Sequence, residues 1–356
     1  MKENINRKKR MAVMLIAATL VFAACKPRQP STARPAAQTG TKSVSIAVFI
    51  PGAASGSPIY EMLAEGVKWA ADERNAADDG QPVTVQVIEG GYNQAEWEAK
   101  LTALAASGAY DLIVSSNPSL PELARAVRAK FPAQRFLLLD GELSGDPGIY
   151  TLRYNQREQA YMAGYLAALV AAEAGGGRVG LIAAQEYPAM LQTILPGYRE
   201  GALAVDPGIA VDFRVVGNWY DAAKCAELAA GMIKAGARVL LCVAGGANEG
   251  AVQAAVEAGT DRARIVWFDT NGYAVRPPYI VGSCVLLQDR AAYSRTKLFL
   301  EGKLSFGEAE VVGIRDAYVD FIEDDPLYAA AVSDSVRKKQ HEMLSRLRSG
   351  ELILEN

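Results

Sequence analysis

The sequence predicts an α/β protein of two similar lobes, each a doubly wound parallel sheet, and three observations lead there. From residue 44 onward, short runs rich in Val, Ile and Leu alternate with stretches of helical period. Those runs are apolar throughout, as in strands covered by helices on both faces. They are also too numerous for one sheet of ordinary size. A chain of 356 residues is long enough to bury two such cores.

The strands of the first set are expected at 44–50, 83–88, 111–115, 136–139 and 149–154. After the first, Ser57 stands as an N-cap and Pro58 at the first helical position. Ile59, Leu63, Val67 and Ala70 then recur at 3–4 spacing, the apolar stripe of a helix. The second set is expected at 179–183, 210–216, 238–244, 265–268 and 279–286. The last segment, 325–354, reads as one amphipathic helix carrying Leu327, Val332, Val336, Leu344 and Leu347, with Lys338, Lys339, Arg346 and Arg348 on a solvated face.

Residues 1–24 have a different character. Lys2, Arg7, Lys8, Lys9 and Arg10 form a basic head, and 11–24 is an apolar run broken only by Thr19. The run is short of the roughly 20 residues that span a membrane, so it reads as a secretory signal. Small residues lead directly to Cys25, which looks like a lipobox cysteine, acylated to become the mature N-terminus. The stretch 26–43 is rich in Pro, Ala, Ser and Thr and reads as a tether. The protein is therefore expected in the cell envelope, lipid-anchored and periplasm-facing. Without residues 1–24 the 37 basic and 40 acidic residues become 32 and 39, a net charge of −7. An acidic body argues against nucleic acid and leaves the lipid, not a basic face, to hold the membrane.

Cysteine and histidine exclude several chemistries. Beyond Cys25 there remain Cys225, Cys242 and Cys284, an odd number with no CxxC pair, so no disulfide framework is expected. The single histidine, His341, lies in the charged C-terminal segment, away from any Gly-rich turn. A zinc site, a Ser-His-Asp triad and a catalytic cofactor are not expected, and the chain is read as a binding protein, not an enzyme.

In open parallel sheets, ligands bind beyond the carboxyl ends of the strands. Those ends carry Tyr60 near the Gly-rich loop 51–57, then Tyr92-Asn93, Ser115 and Asn117, and Asp140. Tyr154, Asn155 and Gln156 follow, then Tyr187, Trp219 with Tyr220, Gly245, and Asp269 with Asn271. Each alone reads equally well as a helix cap or a lid over the core. Together, π-faces beside amides and carboxylates suit a planar, polar heterocycle bearing hydroxyls. The loop 51–57 lacks GxGxxG and GxxxxGK[ST], and no Arg or Lys recurs at the strand ends, so a phosphate is not expected.

The stretches RFLLLD (135–140), YNQREQAYMAGYLAAL (154–169), LPGYREGALAVDP (195–207), CVAGGANEG (242–250) and WFDTN (267–271) carry a resemblance. They are similar to the basic membrane protein family of nucleoside-binding lipoproteins, the substrate-binding parts of ABC importers. The resemblance implies a type I periplasmic-binding-protein fold, with two Rossmann-like lobes around a hinged cleft and three crossings between them. Crossings are placed near 151–154, 271–276 and 313–316. Lobe 1 is then 44–151 plus about 276–315, and lobe 2 is 152–275 plus about 316–356. Where the family carries Asp and a Phe-Asn pair in the first loop, this chain has Ser57-Pro58-Ile59-Tyr60. Where a lysine is common, it has Gln288. With Trp219-Tyr220 these departures suggest a larger neutral ring, and the resemblance implies riboflavin as transported ligand, with a purine nucleoside as the alternative. It also implies a monomer serving an ABC permease and its ATPase. An envelope enzyme acting on flavins or nucleosides is the reading from a different class.

Overall fold

The computed structural model describes residues 43–77 and 81–354. The expected signal peptide, Cys25 and nearly all of the expected tether lie outside the described residues. In chain order the elements are β1 (Val44–Ile50), α1 (Pro58–Ala76), β2 (Val83–Glu89), α2 (Trp97–Ser107), β3 (Leu112–Ser116), α3 (Leu120–Lys130), β4 (Arg135–Leu139) and β5 (Ile149–Tyr154). Then come α4 (Gln156–Glu173), β6 (Arg178–Ala183), α5 (Leu195–Val205), β7 (Ala210–Val215), α6 (Ala222–Lys234), β8 (Val239–Val243), α7 (Asn248–Ala258), β9 (Arg264–Asp269) and β10 (Ile280–Leu286). The chain finishes with α8 (Gln288–Leu300), β11 (Ala309–Val312), β12 (Val319–Phe321), α9 (Pro326–Ala331) and α10 (Asp334–Ser349).

The strands form two six-stranded sheets with matching orders, β11-β5-β4-β3-β1-β2 and β12-β10-β9-β8-β6-β7. All pairings are parallel except β10 with β12, which is antiparallel. Both faces of the inner strands are covered, which is why those read as apolar runs, whereas the edge strands β2 and β7 carry Thr84, Gln86, Asp212 and Arg214. In β1, Ile46, Val48 and Ile50 face one core while Ala47 and Phe49 face another with Trp97, Leu101 and Phe136. Among the described residues no helix is long and apolar enough to cross a membrane.

The chain passes between the sheets three times, after β5, after β10 and between β11 and β12. The second passage corrects the sequence expectation. Residues 280–286 belong to the second sheet, so the chain crosses at Leu287 and not at 271–276. Residues 152–154 likewise stay in the first sheet as the end of β5. The crossing segments bond to one another: Asn155 N donates to the Val312 carbonyl at 2.7 Å, and Leu287 N donates to Tyr318 O at 2.9 Å. Helices are exchanged at these points. The helix after β5, α4, packs on β8, β9 and β10 of the second sheet, and α8, after β10, packs on α1 and β4 of the first.

Three helix pairs touch through glycine. A Cβ on Gly66 of α1 would lie 2.1 Å from the Asp289 carbonyl oxygen, one on Gly164 of α4 would lie 2.0 Å from Tyr198 O, and one on Gly250 of α7 would lie 1.9 Å from Ala222 O. The C-terminal segment is two helices, not one. Val332 is extended and Ser333 caps α10, its Oγ accepting from Val336 N at 3.3 Å.

Candidate functional site

The carboxyl ends of corresponding strands bring two aspartates together. Asp140 follows β4 and Asp269 ends β9, the third strand in each sheet order. Both take left-handed backbone conformations, with φ of 52° and 71°. Few side chains adopt this region, and Asp is among those that do. Both are partly exposed yet set deep among protein atoms. Burial pushes the Asp140 carboxyl up to about 7, helped by the nearby charge of Asp269 and opposed by Arg153. Burial likewise pushes Asp269 up to about 6, against the Gln159 amide that donates to its Oδ1 at 3.1 Å.

Aromatic rings surround the pair. Tyr60, the third residue of α1, has its hydroxyl on the Asn117 side chain and close to Asp140. Burial holds that hydroxyl protonated, its pKa pushed up to about 12. Gly52 separates two rings, because a Cβ there would lie 3.2 Å from Tyr92 and 3.6 Å from Tyr60. Tyr92 is 80% exposed. From the second sheet, Tyr187 and Trp219 stand with ring centroids 5.8 Å apart and planes tilted by 41°. The Tyr187 hydroxyl is held protonated by burial first, then by the charges of Asp269 and Asp140. Gly245 closes against Trp219, with a φ of 57° and room for a Cβ only 3.2 Å from the Trp219 carbonyl oxygen. Asn117 itself is fixed by accepting from Ser119 N at 2.9 Å.

Several other residues expected at the site make hydrogen bonds within the frame. Ser115 is fully buried and its Oγ donates to the Phe49 carbonyl, bracing β3 against β1. Gln288 is also fully buried: its Nε2 donates to Ile59 O at 2.9 Å, and its Oε1 accepts from Ser116 Oγ at 3.1 Å and from the Tyr154 hydroxyl at 3.4 Å. Both Gln288 and Tyr154 thus belong to the first lobe's interior. Asn155 caps α4 by accepting from Glu158 N at 3.2 Å, with Gln156 next to it at the helix start. Asn271 donates to Asp325 at 3.2 Å and accepts from Tyr273 N. Tyr220 is 79% exposed. Asn218 accepts from its backbone N–H and from that of Asp221.

Gln159 was not anticipated from sequence. It is fully buried in α4, bonded to Asp269 and, at 3.0 Å, to the Cys284 carbonyl. Its only signal was its place in the polar first turn of α4, immediately before the apolar stretch that begins at Ala160. Tyr92 stood among the strand-end residues but could not be placed against Tyr60 before the fold was known. A separate cavity of about 600 Å³ lies at the crossings, lined by Asn155, Glu158, Gly313, Arg315, Asp316 and Arg348. It is polar and lacks the aromatic walls. Among the described residues no group of three or more His, Cys, Asp or Glu is placed to hold a metal ion.

The arrangement sets two carboxyl groups, able to accept hydrogen bonds, beside the rings of Tyr60 and Tyr187, able to stack on a planar group. The chain is 27% identical over 176 residues to Basic membrane protein D of Borreliella burgdorferi (strain JD1), covering 49% of this chain and 50% of that protein. It is 28% identical over 141 residues to the ABC transporter nucleoside-binding protein BmpA of Lactococcus lactis subsp. cremoris, covering 40% and 39%. The matched stretches thus span half or less of these curated relatives. In fold it is similar to an ABC transporter system solute-binding protein of Aeropyrum pernix K1, with a TM-score of 0.74, 21% identity, and coverage of 88% and 93%. The family model for the ABC transporter substrate-binding proteins called PnrA-like matches residues 43–352, and the chain belongs to that family, Bmp.

Proposed function

We propose that this chain is the capture component of an ABC importer and that its cargo is a nucleoside. The observation that carries this reading is the pairing of Asp140 and Asp269, one from each sheet, between the ring of Tyr60 and the Tyr187–Trp219 wall. A base stacks between aromatic faces while two carboxylates accept from sugar hydroxyls. Contact with both lobes is what lets a ligand favour a closed state for delivery to a permease. The similar Lactococcus lactis protein carries a nucleoside in its name.

Riboflavin, which the sequence resemblance implied, is the weaker reading. Two of the residues that suggested a larger ring do not support it: Gln288 is bonded inside the first lobe and Tyr220 stands in solvent. The aromatic wall that remains fits either ring. Titration calorimetry with guanosine, competed by riboflavin, tests the choice. Guanosine is expected to bind one-to-one at about micromolar affinity or tighter, and riboflavin not to displace it. A yellow preparation that retains riboflavin and ignores guanosine would reverse the assignment.

A further inference from the structure

Cys225 and Cys242 stand 17 residues apart in sequence, yet their sulfur atoms lie 3.6 Å from each other. Cys225 is the fourth residue of α6 and Cys242 the fourth of β8, and both are enclosed. Cys284 sits in β10. We propose that Cys225 and Cys242 form a disulfide when the chain folds in an oxidising compartment. The bond joins the helix that follows Trp219 to the strand that leads into Gly245.

The geometry supports this in three ways. The thiols already contact each other, and a disulfide needs them to approach by only about 1.6 Å more. The partners come from different elements, so the bond ties a helix to a sheet rather than bridging one turn. Both elements run into the same wall of the cleft, where the Trp219 carbonyl packs on Gly245. Neither the odd cysteine count nor the spacing shows this pairing, because it arises only when α6 docks on β8.

The two thiols are chemically unequal. The bond to Cys242 draws the Cys225 thiol down, while that same contact and burial push the Cys242 thiol well up. Before that contact forms, either thiolate can attack the disulfide of an oxidant such as oxidised glutathione; with Cys225 as the attacker, the exchange completes on Cys242. One glutathione thiolate leaves and takes up the proton that Cys225 lost. The Cys242 sulfur then attacks Cys225 in the mixed disulfide, and a second glutathione leaves with the Cys242 proton. Two electrons and two protons pass to the oxidant, and one S–S bond replaces another. Because both sulfurs are enclosed in the folded chain, the exchange belongs to folding, before α6 is fully seated.

The full chain, denatured and refolded in oxidised glutathione, provides the test. Free thiols are alkylated in denaturant and the chain is digested without reductant for mass spectrometry. The expected product joins the peptides bearing Cys225 and Cys242, with Cys284 alkylated. Alkylation of both cysteines, attachment of either to Cys25 or Cys284, or a persistent glutathione adduct would each overturn the proposal. Protein oxidised in this way should also melt several degrees above the same chain kept reduced, with Cys242→Ala abolishing the difference. Equal midpoints for the oxidised and reduced wild-type chain would count against it.

Discussion

Asp140 and Asp269 set the pH behaviour of the cleft. Both carboxyls titrate above the usual value near 4, at about 7 and about 6. A carboxyl with a raised folded-state pKa stabilises the fold fully below its unfolded pKa, and that contribution is lost as pH rises through the folded one. The unliganded protein should therefore lose stability from these groups between about pH 4 and 7. A ligand whose hydroxyls donate to the carboxylates prefers them ionised, so its affinity should rise several-fold from pH 5 to 8. Titration calorimetry across that range checks the sign, and affinity that falls with rising pH would refute hydroxyl donation. Trp219→Ala should weaken nucleoside binding by about 0.5–1.5 kcal/mol, roughly two- to tenfold, in the same assay. At this scale the sequence was only partly legible. Asp140 and Asp269 could be picked out because each closes an apolar run. Ser115 and Tyr154 could not be told from cleft residues, because successive side chains of a strand face opposite ways and one step in register exchanges cleft for core. Gln288 opens α8, whose packing on α1 the sequence does not show.

Among elements, the glycines of the recognisable stretches explain themselves through packing. Gly164, within YNQREQAYMAGYLAAL, and Gly250, within CVAGGANEG, sit where the backbone of a second helix leaves no room for a methyl group. Gly164→Ala must push α5 away from α4 and should destabilise by about 1–3 kcal/mol in chemical denaturation, although Ala is the better helix former. The resemblance was visible in the letters, but the reason for them lies in a neighbouring helix that sequence does not show. The break between α9 and α10 was missed in reading 325–354 as one helix, although its signal is in the letters. Ser333-Asp334 offers cap chemistry inside an apolar pattern, and the structure uses it, with Ser333 Oγ also donating to Glu173 at 2.6 Å. Ser333→Ala should cost about 1 kcal/mol in the same measurement.

At the level of the whole molecule, the two-sheet α/β plan followed directly from apolar runs alternating with helical stripes. The assignment of segments to lobes did not. β10 reads as a buried strand in either sheet, and nothing in its composition tells which neighbour it bonds to. The edge strands β11, beside β5, and β12, beside β10, are only four and three residues long, too short to show a period. Each lobe is assembled from segments far apart in the chain: α8 and β11 of the first follow β10 of the second, and β12 of the second follows β11. Melting curves followed by helix signal and by tryptophan emission should therefore coincide, and two separated transitions would show the lobes to be independent.

That interleaving also orders events as the chain emerges, N-terminus first, where it folds. The first five strands emerge early, but α8, which covers α1, and β11, which completes their sheet, come only after β6 to β10 have been made. The second sheet lacks only its short antiparallel edge by then and already has α4 on its face. The nascent N-terminal half must therefore wait, incompletely covered, until β11 has emerged, and the second lobe waits longer still, for β12, α9 and α10.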